Sequence, residues 1–178
     1  SAIAKQLDAA QTTWETTALS ELPAPVTVSL VASYPLDGNT SAESKVGSVR
    51  TVGGVVGQAA KFDGDACISI VDGPDLDHTD AFSFGAWIWP EGAGCVISRM
   101  DDANDMRGYD VTLRKGKAIV NLVHRWNRNA IQVSTASSLP MRQWQHLMVC
   151  YNGSGKAAGV EIYLNGKPQS VEVAKDTL

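Results

Sequence analysis

The sequence predicts an all-β fold, an antiparallel two-sheet β-sandwich with a short N-terminal helix. Three stretches carry that expectation. In Phe82-Ser83-Phe84-Gly85-Ala86-Trp87, the residues Phe82, Phe84 and Ala86 alternate with Ser83, Gly85 and Trp87, the period of two of a strand with one buried face. Pro90 has no N–H to give a ladder and ends the run. Residues 144–151 alternate in the same way and close on Asn152-Gly153, and residues 160–164 repeat the plan before Asn165-Gly166-Lys167. These three strands are expected at the centre of the sandwich. Short strands separated by turns, with no alternation of strand and helix, indicate antiparallel rather than parallel sheets.

Bulk composition narrows the function classes. The 178 residues, 44% of them hydrophobic, suffice for one domain with a two-layer core. A net charge of −4, with basic residues scattered except at Arg125 to Arg128, argues against a general nucleic-acid binder. No apolar run approaches the roughly 20 residues that span a bilayer, so membrane insertion is not expected. Cys67, Cys95 and Cys150 permit one intrachain disulfide at most, sit in strand-like contexts that favour small buried apolar residues, and lie too far apart to resemble a zinc site. The sequence opens at Ser1 with neither Met nor a signal peptide, which reads as a processed product or an excised piece.

Taken in order, residues 1–25 are expected to form an amphipathic helix and linker, and residues 26–178 the sandwich. Ile3, Leu7, Ala10, Trp14 and Ala18 fall at spacings of three and four, one apolar stripe over residues 2–19, and Pro23 and Pro25 prevent its continuation. Such a helix is marginal alone, so it is expected to pack on the sandwich or to belong to a preceding domain. Residues 26–36 read as a first strand, 38–54 as a long polar loop, and 55–62 as a strand turned by Asp63-Gly64-Asp65 into another at 67–71. Residues 73–80 read as a loop and 95–100 as a strand entering an acidic loop at 101–105. Tyr109, Val111 and Leu113 then alternate up to a Lys115-Gly116 hairpin, and residues 118–124 return to a tip at Arg125-Trp126-Asn127-Arg128.

Several short motifs occur together in a fixed order. They are Tyr34-Pro35-Leu36-Asp37-Gly38-Asn39, Gly57 through Phe62-Asp63-Gly64, Phe82-Ser83-Phe84 through Trp87, Trp144-Gln145-His146, Tyr151-Asn152-Gly153 and Ile162-Tyr163-Leu164-Asn165-Gly166-Lys167. The ordered set, spanning residues 34–167, resembles the laminin-G-like, concanavalin-A-like jelly-roll domains of bacterial extracellular proteins. Residues 98–102 and 107–110, with His124-Arg125-Trp126 and residues 153–159, resemble more narrowly a subgroup embedded in large planctomycete proteins that also carry cytochrome-type domains. The resemblance implies a jelly-roll binding or adhesion module, periplasmic or at the cell surface, often for glycans and sometimes with bound calcium. Members continue past the Asn-Gly-Lys strand with further chain, so the last strands are expected to be missing here, which would leave an exposed sheet edge.

The residues themselves disfavour an enzyme. A retaining glycosidase needs two carboxylates about 5 Å apart. None of Glu15, Glu21, Glu43, Glu91, Glu161 and Glu172 has an acidic partner two or four positions away within a strand. Asp63/Asp65 and Asp75/Asp77 have that spacing but lie in turns. There is no Gly-x-Ser-x-Gly elbow, and His146 reads as a structural histidine. Calcium takes hard oxygen ligands, and two clusters offer them: Asp37 with Asn39, and Asp101, Asp102 and Asn104 with Asp105. The same residues serve ordinary turn chemistry, which is the stronger reading. Glycan binding needs an exposed aromatic framed by planar polar groups. Trp126 between Arg125, Asn127 and Arg128 fits best, with Arg99 and Arg107 expected at the same end, while Trp87, Trp89 and Trp144 are expected to pack in the core or on a sheet face. The sequence therefore points to a non-catalytic module binding carbohydrate, with a structural or protein–protein module as the alternative and a hydrolase third.

Overall fold

The computed structural model describes residues 6–7, 9–14, 17, 28–38, 43–70 and 73–178, the first three of the 43–70 stretch by backbone only. It divides into two units, Ser1–Tyr34 and Pro35–Leu178. In the first, the described residues between 6 and 17 are helical, and the Thr13 and Thr17 hydroxyls donate to the carbonyls of Ala9 and Thr13. Ile3 and Ala18 of the expected stripe lie outside the described residues. The strand expected over 26–36 is not formed at residues 28–36, where Ser29 at φ 68° and Leu36 at φ 56° turn the chain out of the extended region.

The second unit opens with a long hairpin, β1 (Glu43–Gly53) and β2 (Gln58–Ile70). This corrects the loop expected over 38–54 and the turn expected at Asp63-Gly64-Asp65. Val46 pairs with Cys67 but Ser48 with Asp63, so Gly64 to Ala66 stand opposite Gly47 alone. The glycine signal is therefore a bulge within one strand, with Gly47 at φ 74° and Gly64 at φ 63°, rather than a chain reversal. Arg50 and Asp63 bridge the two strands at 3.0 Å, and Lys61 reaches Glu91 at 2.8 Å.

Two further antiparallel sheets make the sandwich. One has four strands in the order β10-β9-β8-β3, with β3 at Phe82–Ile88, β8 at Gln145–Tyr151, β9 at Val160–Leu164 and β10 at Lys167–Pro168. The other has five in the order β11-β7-β6-β5-β4, with β4 at Gly94–Asp101, β5 at Arg107–Arg114, β6 at Lys117–Arg125, β7 at Asn129–Thr135 and β11 at Val171–Asp176. The three strands expected at the centre do share a sheet, but β3 is its edge, and the deepest burial falls on β6 and β7. Val111, Val120, Leu122, Ile131 and Val133 of the five-stranded sheet face Leu147, Val149, Val160 and Ile162 of the four-stranded one in a single core. Phe82 and Phe84 from β3 meet Tyr109 from β5 with ring centroids 5.7 and 5.3 Å apart, which carries aromatic packing from sheet to sheet.

The turns follow their residues. Lys115-Gly116 and Asn165-Gly166 each place both residues at positive φ, the two-residue hairpin geometry that matches strand twist. Gly108, at φ 133°, has no room for a side chain, because a Cβ there would lie 1.7 Å from the Arg99 carbonyl oxygen. Buried polar atoms are paired: Thr135 Oγ1 accepts from the Ala118 amide and Gln145 Oε1 from Asn165. The strand β11 lies beyond the Asn165-Gly166-Lys167 turn, is held on β7, and is anchored by the Ala157 amide donating to Asp176 at 2.7 Å.

Ile131 is fully buried where the two sheets face each other. Ile131→Ala is expected to lower unfolding free energy by about 2–5 kcal/mol, read from urea denaturation. A loss under about 1 kcal/mol would contradict this packing, since surface changes fall in that range.

Candidate functional site

Folding brings two of the sequence-singled segments together at one end of the five-stranded sheet. The β6–β7 hairpin reverses at Trp126–Arg128, closed by the Arg128 amide on the Arg125 carbonyl at 3.0 Å. The Trp126 amide donates to the Asp105 carbonyl at 3.1 Å, tying this tip to the acidic segment. Asp105, Arg125, Asn127 and Arg128 line a shallow depression of about 380 Å³. Arg125, Asn127 and Arg128 are exposed and Trp126 is half-buried. Lys175 fixes the indole from the neighbouring strand, with its Nζ 4.8 Å above the ring and 3.2 Å from the Trp126 carbonyl. The sequence reading missed Lys175, which pairs into the site only through β11.

Arg99 has a structural duty. The Arg99 guanidinium donates to the carbonyls of Gly73 and Pro74 and bridges Asp75 at 3.1 Å, so it straps the 73–75 loop to β4. Arg107 is the cross-strand partner of Asp101. Asp101 caps a short 3-10 turn at Asp102–Asn104, accepting from the Ala103 amide and from the Asn104 side chain. Those bonds, the Asn104 amide foremost, hold its carboxyl below the usual range. In the other oxygen cluster Asp37 sits at a bend and has an interaction partner, and Asn39 lies outside the described residues. Among the described residues, no three His, Cys, Asp or Glu side chains converge closely enough to hold a metal ion.

The remaining singled-out residues fall as follows. Asp77 and Asp80 bond within their own loop, as turn residues do. The His146 amide donates to the Asn165 side chain in the turn after β9 at 2.8 Å, and the His146 ring lies 5.2 Å from that of Trp87. Trp87 and Trp89 are 52% and 45% exposed, on the outer side of the four-stranded sheet and just past its edge strand, with Trp89 edge-on to Trp144 at 5.8 Å. Neither enters the core, although sheet-face packing fits both. The cysteines are free; Cys67 and Cys95 are exposed and Cys150 half-buried, correcting the expectation of buried apolar residues. Each alternates onto the solvent side of its strand.

A polar row crosses the outer face of the five-stranded sheet. Register places Ser98, Asp110, Asn121, Gln132 and Lys175 side by side on β4, β5, β6, β7 and β11. The Gln132 amide donates to Asn121 Oδ1 at 2.8 Å, and the Asn121 amide donates to Asp110 Oδ1 at 2.7 Å. Desolvation pushes the Asp110 carboxyl up, against the pull of the Asn121 bond and the Arg114 charge. The folded state therefore holds this proton more tightly than the unfolded chain. Its contribution to stability is present below the unfolded carboxylate range and is lost as pH rises through the folded value. Asp110→Asn is expected to flatten the fall in stability over that window, measured by denaturation at stepped pH. Parallel curves for the two proteins would contradict the assignment.

Residues 62–178 match the family model of the Concanavalin A-like lectin/glucanases superfamily. No curated protein and no solved structure matches the chain. With two antiparallel sheets closed over one core, and a match that covers most of its length, the chain belongs to the concanavalin A-like lectin/glucanase superfamily as a laminin-G-like domain.

Proposed function

We propose that the chain is a non-catalytic carbohydrate-binding module of a larger exported bacterial protein, acting in the periplasm or at the cell surface. The observation that carries this is the Trp126 tip. An indole held by Lys175 stands beside a depression whose lining is Asp105, Arg125, Asn127 and Arg128. An aromatic surface suits the apolar face of a sugar ring, and planar guanidinium and amide groups suit its hydroxyls. Arg99 supports this reading by bracing the 73–75 loop, while Arg107 stands across from Asp101. A calcium ion is no requirement of this reading; Asp101, Asp102 and Asn104 are placed to shape the loop behind Asp105 whether or not an ion joins them.

A second reading, a module that docks on neighbouring protein domains, is favoured by one observation. Trp87 and Trp89 present indoles on the side of the molecule formed by the four-stranded sheet. The two readings assign binding to different tryptophans. On a glycan array, Trp126→Ala is expected to lower carbohydrate signal at least about tenfold while Trp87→Ala leaves it unchanged. A blank array for folded wild-type protein would overturn the carbohydrate reading. Repeating the array with a chelator tests the ion: loss of signal would place calcium in or behind the site, and unchanged signal would exclude it from binding.

A further inference from the structure

We propose that a second copy of this chain docks on β3 edge to edge, joining two four-stranded sheets into one sheet of eight across a two-fold axis. The pairing uses no residue of the Trp126 tip and stands independently of the carbohydrate reading. Of the four strands that end the two sandwich sheets, three are guarded. β4 carries Arg99 and Asp101 and a bulge between Cys95 and Ile97. β11 carries Glu172, Lys175 and Asp176 and a bulge between Val173 and Lys175. β10 is two residues long and ends on Pro168. Charge, bulge, proline and shortness are the devices that keep sheet edges apart. β3 has none of them, being seven uncharged residues in unbroken register with β8.

The backbone groups left open belong to Ser83, Gly85 and Trp87. Both backbone groups of His146 are taken on the side away from β3. Its amide donates to the Asn165 side chain and its carbonyl accepts from the Asn165 amide, each at 2.8 Å. Trp87, opposite His146, is therefore a non-hydrogen-bonded partner whose own N–H and C=O turn off the sheet. Alternation along the register gives Gly85 and Ser83 the same orientation. Among the described residues, no strand or loop takes these groups up. The β1–β2 hairpin meets the sandwich at Lys61–Glu91, beyond Pro90, and pairs with none of β3. The inner side is open as well: Phe82, Phe84, Ala86 and Ile88 are only half-buried, whereas Leu147, Val149 and Tyr151 across from them are at most 3% exposed.

A second β3 fits this edge by construction. Turned antiparallel about Gly85, it sets Gly85 against Gly85 of the other copy and Ser83 against Trp87, so every open N–H meets an open C=O. No charge faces a like charge, which a strand of arbitrary sequence does not guarantee. Gly85 is held to glycine, because a Cβ there would strike the Leu147 carbonyl oxygen, and the middle of the outer face is therefore bare. The exposed Trp87 stands diagonal to the other copy's glycine and covers that strip. On the inner face Phe84 meets Ala86 and Phe82 meets Ile88, closing the two half-open cores on each other. Each copy offers and receives the same strand, so assembly stops at two.

The test is sedimentation equilibrium of the 178-residue chain over a concentration series reaching about 1 mM, the weak end of specific association. The mass is expected to rise from 18.9 kDa toward twice that value. Ser83→Pro removes an N–H that β8 does not use, so the fold is kept while cross-copy hydrogen bonds are lost. It is expected to weaken the dimer at least about tenfold. Ser83→Lys, which guards β3 as the other edges are guarded, is expected to do the same, and Ser83→Ala to leave the dimer intact. In the wild type, the Gly85 amide is expected to exchange its hydrogen at least about tenfold more slowly in concentrated than in dilute samples. A chain that stays at 18.9 kDa throughout overturns the proposal and leaves the edge to a strand of another protein. A dimer that folded Ser83→Pro and Ser83→Lys form as tightly as wild type also overturns it, as does Gly85 exchange that ignores concentration.

Discussion

Everything described at the Trp126 end depends on the interlock of two inner sheet faces. Val120, Ile131 and Val133 on one side and Leu147, Val149 and Ile162 on the other are each at most 2% exposed. Because side chains alternate along a strand, that inward set dictates the outward one: with Val120 and Leu122 in the core, Asn121 has to face out, and so do Asp110 beside it and Gln132 beyond. A slip of one residue would bury the polar row and expose the core. The hydrophobic contact thus decides, through register, which polar side chains the outer face presents.

The two outer faces diverge from this common core. On the four-stranded sheet the outward positions carry Trp87, His146 and Tyr163, with Trp87 half exposed. On the five-stranded sheet they carry hydrogen-bonded amides and a carboxylate, several of them well covered, and Ala130 and Val123 beside them are buried although they point away from the core. Its polar groups are committed to each other, Gln132 to Asn121 and Asn121 to Asp110.

Much of the scaffold was legible in the chain. Phe82, Phe84 and Ala86 announced β3, and Lys115-Gly116 and Asn165-Gly166 announced their hairpins, since both signals are local: a period of two and a residue tolerant of positive φ. The stretch 43–53 was not, because its strand exists through pairing with residues 58–70 and its own composition is polar and glycine-rich. Asp63-Gly64-Asp65 carried a true local signal for left-handed backbone, but only the partner strand decides between a turn and a bulge. At the site, Trp126 with Arg125, Asn127 and Arg128 stood out as one contiguous segment. The row could not, since Asp110, Asn121 and Gln132 are 11 residues apart and meet only once register is known. Arg99 misled for a related reason: its charge suggested a ligand, while the fold brings it the carbonyls of Gly73 and Pro74.

The proposed carbohydrate site lies on the Trp126 side of the molecule and not at the exposed indoles of the other sheet. The five tryptophans give five indole N–H signals, each a local reporter. We would titrate isotope-labelled protein with the best-bound oligosaccharide of the array and follow those signals together. The Trp126 signal is expected to shift while those of Trp87, Trp89 and Trp144 stay in place. Shifts confined to Trp87 and Trp89 would contradict it and move binding to the four-stranded sheet.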